Sequence, residues 1–231
     1  MKRSWFFIVL LGFYIHSKAQ FHELGVFLGT GNYIGDIGGS HYVFPENPAF
    51  GLVYKWNRTT RYSLRANVMI MNVTKSDYSP IDFARFNRRY RFKNQFMEFS
   101  VGTEINYYDF NLHGGEKIVA PYLFLGAGFV RYNLFYHQPN TLENIEYGKG
   151  IDLVLPAIIG LKANVSPLIV LALELGVRYT FTDNLDGSAP ETEDSLTNDL
   201  KFGNLYNNDW YVFTGLTISF TFGDLPCYCK E

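Results

Sequence analysis

Long runs of strictly alternating apolar and polar residues constrain the fold of this chain more than any other feature. The clearest run covers residues 94–109. One set of alternate positions holds Met97, Phe99, Val101, Thr103 and Ile105, and the other holds Glu98, Ser100, Gly102, Glu104 and Asn106. Successive side chains of a strand point to opposite faces of the sheet. The run therefore predicts a strand whose two faces meet different surroundings.

Eight stretches with strand character follow one another along the chain. We predict strands within the stretch 21–38 and at residues 49–57, 61–73, 94–109, 119–135, 151–164, 169–179 and 210–222. In the fifth stretch both faces are apolar or glycine, so the pattern alone leaves its facing ambiguous. For that strand we predict an outward face made of Leu123, Leu125, Ala127 and Phe129.

The connections between these stretches alternate in length. The long ones are 35–48, 74–93, 136–150 and 183–209, and the short ones are 57–60, 111–117 and 164–167. An even number of strands with this alternation is typical of outer-membrane barrels. A soluble β-sandwich shows the same two-residue pattern, but the long strands and the loop alternation favour the barrel. We therefore predict an all-β fold, an eight-stranded antiparallel up-and-down transmembrane β-barrel with an interior just wide enough for side chains.

The first residues have the features of a secretory signal peptide. Lys2 and Arg3 precede a short apolar core, and Ser17-Lys18-Ala19 is a small-x-small cleavage site. We predict a signal peptide at 1–19, an outer-membrane barrel at 20–223 and a periplasmic tail at 224–231. The whole chain has 20 basic and 22 acidic residues, and loss of the leader makes the remainder more acidic. This balance argues against nucleic acid as a partner.

Charged residues recur at the positions predicted to face the lumen. They are Glu23, Lys55, Arg65, Glu98, Glu104, Lys162, Glu174 and Arg178. Unpaired charges in a narrow, poorly solvated lumen are costly. The set therefore predicts either a network of ion pairs that fills the barrel or a path for protons or ions.

The sequence contains no recognisable catalytic or metal motif. Outside the predicted signal peptide the histidines are scattered, at His22, His41, His113 and His137, and HExxH, GxSxG and CxxC patterns are absent. We predict no enzyme activity, no cofactor and no metal, with a lipid-modifying enzyme as the less favoured alternative. The last long loop carries six acids between Asp183 and Asp199 and no base. This pattern fits calcium binding or, in our preferred interpretation, a mobile solvated loop.

The two cysteines, Cys227 and Cys229, lie in the predicted periplasmic tail. A disulfide between residues two apart is strained, and free thiols are rarely kept in an oxidising compartment. Pairing with a cysteine of another protein would resolve this conflict. An unpaired or locally bridged tail is the alternative, and the residues alone leave both open.

Several motifs resemble the PorG family of small outer-membrane barrels in the type IX secretion system. They are HELGVFLGTGNYIGDIG near the start, EFSVGTEINY in the fourth strand, PYLFLGAGF in the fifth and ELGVRYTF in the seventh. The resemblance implies a non-catalytic protein that anchors the periplasmic ring at the outer membrane. It also implies contact with the ring lipoprotein of PorK or GldK type and its partner of PorN or GldN type.

On this hypothesis the residues that face the ring are Cys227, Cys229, Arg58 and Gly114, and both termini are periplasmic. Outer-membrane lipid and lipopolysaccharide surround the barrel. The basic and aromatic residues within 85–93 fit lipopolysaccharide phosphates or a solvated loop flank. A general surface or adhesion barrel of OmpX type, acting through its long loops, is the alternative function.

Overall fold

The computed structural model describes residues 21–38, 46–77, 86–87, 89–112, 117–138, 143–190, 200–204 and 207–223. The predicted signal peptide at 1–19 and tail at 224–231 lie outside the described residues. The eight strands are β1 (Phe21–Ile34), β2 (Asn47–Asn57), β3 (Tyr62–Ser76), β4 (Arg91–Asn106), β5 (Val119–His137), β6 (Asn144–Ser166), β7 (Ile169–Thr180) and β8 (Trp210–Phe222).

Each strand pairs antiparallel with the next, and β8 pairs with β1, so the sheet closes into a barrel. The closing ladder runs from His22 opposite Phe222 to Ile34 opposite Trp210. Closure matters because an open edge would expose unpaired backbone groups. The predicted eight-stranded antiparallel barrel is confirmed.

Alternation along the strands separates an apolar exterior from a buried interior. On β1, Leu24 is 53% exposed, whereas Glu23 is only 1% exposed. On β5, Leu125 and Phe129 are exposed and Phe124 is buried, so the predicted facing of this strand is confirmed. Transfer of apolar surface out of water gains roughly 25 cal/mol per Å². Lipid is therefore the favourable surrounding for this exterior.

The two ends of the barrel carry different connections. We call the end with the β2–β3, β4–β5 and β6–β7 connections the turn end, and the opposite end the loop end. The barrel begins at Phe21 and finishes at Phe222, and both residues lie at the turn end. The polypeptide therefore enters and leaves the barrel on the same side.

Two hairpins extend at the loop end, where the sequence predicts long loops. β3 and β4 pair as far as Ser76 opposite Arg91, and β5 and β6 pair as far as His137 opposite Asn144. The predicted loops 74–93 and 136–150 are therefore partly wrong. The β5–β6 connection in particular is short, so the simple alternation of long and short connections does not hold.

The reason for this error lies in the interior positions of the extensions. Phe92 on β4 and Phe135 on β5 are each 1% exposed. Phe92 continues the inward series of its strand, whereas Phe135 points inward after the register shift between Leu134 and Phe135. The intervening polar residues lower the apolar content of the sequence without ending the strands. Burial of the aromatic side chains thus outweighs the polar composition of these stretches.

Glycines allow two wall strands to approach closely. Gly102 on β4 lies opposite Gly126 on β5. A Cβ atom at Gly102 would lie 2.1 Å from the carbonyl oxygen of Leu125 and 2.5 Å from the Cα of Gly126. No side chain fits between these backbones, which explains the glycine in the polar series of β4.

Candidate functional site

The eight charged residues predicted to line the lumen are all buried inside the barrel. They occupy inward positions of six different strands, and none is more than 2% exposed; they are Glu23, Lys55, Arg65, Glu98, Glu104, Lys162, Glu174 and Arg178. Four carboxylates balance four basic groups, so the formal charge of the set is zero. The structure brings all eight together around a few shared contacts.

Glu104 on β4 is the centre of the largest group. Its Oε1 accepts hydrogen bonds from Lys162 Nζ at 2.7 Å and Lys55 Nζ at 3.0 Å. Its Oε2 accepts a hydrogen bond from Arg65 NH1 at 3.2 Å. One carboxylate therefore holds together three cations that come from β2, β3 and β6.

Arg65 connects this group to Glu174 on β7. Arg65 NH2 donates to Glu174 Oε2 at 2.8 Å. The other oxygen of Glu174 accepts hydrogen bonds from the Tyr122 hydroxyl at 2.7 Å and the Thr217 hydroxyl at 2.9 Å. Both oxygens of this buried carboxylate are thus satisfied, as a buried charge requires.

A second group forms around Glu98. Its Oε2 accepts a hydrogen bond from Arg178 Nε at 3.3 Å and another from the Tyr211 hydroxyl at 2.8 Å. The Ser100 hydroxyl donates to Oε1 at 2.9 Å, and Asn67 Nδ2 donates to the Ser100 hydroxyl. Arg65 Nε also donates to Asn67, so a chain of hydrogen bonds links the two groups.

Glu23 is the least strongly held of the eight. Its Oε1 accepts a hydrogen bond from Asn57 Nδ2 at 2.7 Å. Its Oε2 accepts no hydrogen bond and lies 4.0 Å from Lys55 Nζ. Glu23 therefore balances charge at the turn end of the network without fixing its geometry.

Above the network, towards the loop end, the interior becomes mainly aromatic and apolar, with Asn32, Lys75 and Asn94 also buried there. Phe92, Phe96, Phe135, Tyr33 and Tyr211 belong to one buried cluster. Tyr33 makes edge contacts with Phe92 and Phe96, and Phe96 also packs against Tyr211. An ion path needs polar groups from end to end. The described interior instead combines a neutral ion network with an aromatic layer.

The aromatic layer is absent from the sequence prediction. On β4 its members occupy the same inward series as Glu98 and Glu104, but further along the strand. Inward parity on β4, continued back through Phe96 and Phe92, is the signal that could have revealed it. The assignment of 74–93 to a loop hides that continuation.

The segment 183–190 closes the loop end by packing into the mouth of the barrel. Leu185, Asp186 and Ser188 are completely buried. Asp186 Oδ2 accepts hydrogen bonds from the backbone N–H groups of Asp36 and Ile37, each at 3.1 Å. The prediction of a mobile solvated loop is therefore wrong for this part of the acidic segment, because the Asp186 carboxylate caps backbone N–H groups instead of facing water.

Asp209 holds the same segment from the other side. Its Oδ1 accepts a 2.5 Å hydrogen bond from the Tyr33 hydroxyl, and its Oδ2 accepts one from the backbone N–H of Leu185.

Burial raises the pKa of Asp209 well above its ordinary value, and Asp186 adds to this effect. Burial, with Asp36 and Asp186 nearby, raises the pKa of Asp183 to about 7.

We expect the Asp183 carboxyl to titrate near pH 7 in carboxyl carbon NMR of the labelled protein. The folded-state pKa is raised above the unfolded value, so the contribution of Asp183 to stability is fully present below the unfolded pKa and is lost as pH rises through about 7. Asp109 is the control, because hydrogen bonds from Arg61 and Thr60 lower its pKa. Equal titration midpoints for the two carboxyls would contradict this assignment.

The residues predicted to face a periplasmic partner are only partly described. Arg58 lies exposed in the β2–β3 turn, with its guanidinium 4.6 Å from the ring centre of Trp56. Gly114, Cys227 and Cys229 lie outside the described residues. The structure therefore locates Arg58 at the turn end and leaves the other three as predictions.

In the described part of the chain, no helix is long and apolar enough to cross a membrane. Across the same residues, no group of three or more His, Cys, Asp or Glu side chains has the arrangement of a metal site.

Comparison with known proteins gives similarity in fold and a family assignment. No curated protein matches the chain. Ail of Yersinia pestis, solved with the heparin analogue sucrose octasulfate, is similar with a TM-score of 0.48 and 11% identity, over 89% of this chain and 99% of that one. Neisserial surface protein A is similar with a TM-score of 0.48 and 9% identity, over 88% and 97%. A major outer membrane protein of Thermus thermophilus is similar with a TM-score of 0.47 and 14% identity, over 88% and 100%. A family model matches residues 2–231, and the chain belongs to that family, described as "Domain of unknown function (DUF6089)".

Proposed function

We propose that this protein is a non-conducting outer-membrane barrel that anchors a periplasmic assembly of the type IX secretion system. The observation that carries the proposal is the filled lumen. A neutral ion network occupies one part of the interior, and an aromatic cluster occupies the part next to it. Such a barrel offers no passage for cargo, so its role lies in what its ends and its exterior bind.

The exterior supports a position in the outer membrane. Exposed apolar side chains on the outward positions form a surface suited to lipid, and all wall strands are hydrogen-bonded on both sides. Closed barrels satisfy every backbone group in this way without water. In outer-membrane barrels the short turns face the periplasm. The turn end, with both barrel termini, therefore faces the periplasm in this proposal.

The turn end presents side chains of the kind that bind proteins. Tyr107 and Tyr108 are 69% and 55% exposed and pack edge to face. Arg61 forms an exposed ion pair with Asp109 nearby, and Arg58 lies over Trp56. Tyrosine, tryptophan and arginine are enriched in protein interfaces. The resemblance of the strand motifs to PorG-type barrels points to the ring lipoprotein and its partner as the proteins bound.

A pull-down in mild detergent tests the anchoring role. The tagged mature protein is expected to retain the ring lipoprotein, and an Arg58→Glu variant is expected to retain less because it reverses the charge at the turn end. Lys149→Glu makes the same charge change at an exposed loop-end position and is the matched control. Equal capture by the native protein and both variants would show that Arg58 is not part of the interface. Absence of ring proteins from every sample would refute the anchoring role.

A non-reducing gel of the same samples tests the tail. We expect a higher band that contains the ring lipoprotein and that disappears in the Cys227→Ser/Cys229→Ser variant. If the protein runs as a monomer in both lanes while capture persists, the tail forms no disulfide with the ring. This outcome is distinct from loss of capture, so the two parts of the proposal are tested separately.

The alternative function is a surface barrel of OmpX type that acts through its loop end. The packed segment 183–190 and the polar cavity beside it favour this alternative, because an ordered loop end can present a fixed binding surface. It predicts an external ligand and no periplasmic partner.

A further inference from the structure

A polar cavity of about 500 Å³ opens at the loop end between the β5–β6 hairpin and the segment 181–190. Three aromatic side chains, Tyr132, Tyr147 and Phe181, form part of its wall. The cavity also borders residues 150–152 of β6, beyond the point where the β6–β7 ladder ends at Val154 opposite Thr180. It is separate from the lumen network, and the proposed anchoring role does not use it.

Two buried acceptor atoms in the wall of the cavity receive no hydrogen bond. Asp183 and Asn184 both line it, and the buried atoms Asp183 Oδ2 and Asn184 Oδ1 accept no hydrogen bond. Asn184 is only 6% exposed, and its amide nitrogen already donates to the Tyr147 hydroxyl. The Tyr132 hydroxyl is likewise used, because it donates to Asp152. Buried acceptors that lack a donor are costly, so a ligand that brings donors would be stabilised here.

The charges of the cavity favour a cation. Two carboxylates, Asp152 and Asp183, line it against a single ammonium group, that of Lys201. Within the described part of the chain, Lys201 forms no ion pair with either of them. The nearby Asp186 carboxylate adds to this negative field, since it contributes to the raised pKa of Asp183. A negative field of this kind attracts cations.

We propose that this cavity binds an organic cation through its guanidinium or primary ammonium group. Such groups are donor-only, which matches the acceptors on Asp183 and Asn184. Aromatic rings attract cations over their faces, which matches the walls of the cavity. A saccharide would bring acceptors as well as donors and would gain nothing from the net negative charge. The described residues contain no metal-type arrangement of ligands, so an organic cation fits better than a metal ion.

Isothermal titration of the full barrel in zwitterionic detergent tests the proposal, with butylguanidinium as the probe. The uncharged isostere butylurea is the matched ligand control. The titration is run at about pH 8.5, above the value near 7 to which burial raises the pKa of Asp183, so that this carboxylate is ionised. We expect butylguanidinium to bind at least about tenfold more tightly than butylurea, since hydrogen bonds to charged groups are the stronger ones.

Two variants with opposite expected effects separate binding from folding. Asp183→Asn should weaken butylguanidinium binding about tenfold, because it removes a carboxylate partner. Lys201→Gln should strengthen binding, because it removes the cation that lines the same cavity. Asp109→Asn, at the turn end, should leave the affinity unchanged. Equal binding of butylguanidinium and butylurea, or unchanged affinity in both cavity variants, would overturn the proposal. Binding of N-acetylglucosamine without butylguanidinium would make the cavity a saccharide site and would also overturn it.

Discussion

Replacement of Glu104 by glutamine is expected to lower the free energy of unfolding by about 3–5 kcal/mol, the usual cost of breaking a buried ion pair on one side. Glu104 accepts hydrogen bonds from three cations. In this variant Arg65 would still have its ion pair with Glu174. Lys162, in contrast, forms no other ion pair among the described residues. Glutamine preserves the shape and leaves a buried ammonium group without a counter-charge. Urea-induced unfolding in lipid vesicles, followed by tryptophan fluorescence, measures the change.

The matched control for Glu104→Gln is Asp109→Asn. Asp109 also pairs with an arginine, but both side chains of that pair are more than half exposed. Exposed pairs contribute about 0–1 kcal/mol, so this variant should unfold almost like the native protein. A double variant, Glu104→Gln/Lys162→Met, should recover part of the loss because it removes the stranded charge. Equal stability of Glu104→Gln and the native barrel would show that the network is not held together by ionic pairing.

Replacement of Phe96 by alanine is expected to cost about 3–5 kcal/mol, because it removes buried apolar surface and leaves a cavity. Phe96 is 1% exposed and packs between Tyr33 and Tyr211 in the aromatic layer. Closed strands surround the site, so the barrel wall cannot collapse to fill the space. The same unfolding measurement in vesicles gives the change.

Phe99→Ala on the same strand is the control for the position of Phe96. Phe99 points outward and is 51% exposed, so lipid can occupy the space that the ring leaves. This variant should lose only the free energy gained by removing the apolar side chain from water, about 1.5–3 kcal/mol for a full side chain. If Phe99→Ala costs as much as Phe96→Ala, the assignment of inner and outer faces on β4 is wrong.

The facing of the wall residues could be predicted from the sequence because it depends on a local rule. Successive side chains of a strand alternate between the two faces, so the inward placement of Glu98 and Glu104 follows from their separation from Phe99 and Val101 along β4. The number of strands and their antiparallel order follow from the same pattern and from the turn residues between them. No knowledge of distant contacts is needed for these features.

The ends of the hairpins could not be predicted in this way. Phe92 and Phe135 extend their strands because their rings stack against each other, with centroids 5.8 Å apart, at the loop end. That contact joins residues far apart in the chain, whereas the local composition around them is polar. Tertiary packing thus overrides the local composition, which by itself predicts loops.

Alternation within each strand is enough to predict which residues line the lumen, how many strands form the wall and which face suits lipid. The pairing of the charges and the closure of the mouth depend instead on the folded barrel. Arg65 and Glu174 lie 109 positions apart and meet because the closed barrel brings β3 and β7 across a narrow lumen. Asp186 is buried, and its carboxylate accepts hydrogen bonds from the backbone N–H groups of Asp36 and Ile37, which lie about 150 residues away. Such contacts depend on the register and closure of the whole sheet, and no local pattern in the chain encodes them.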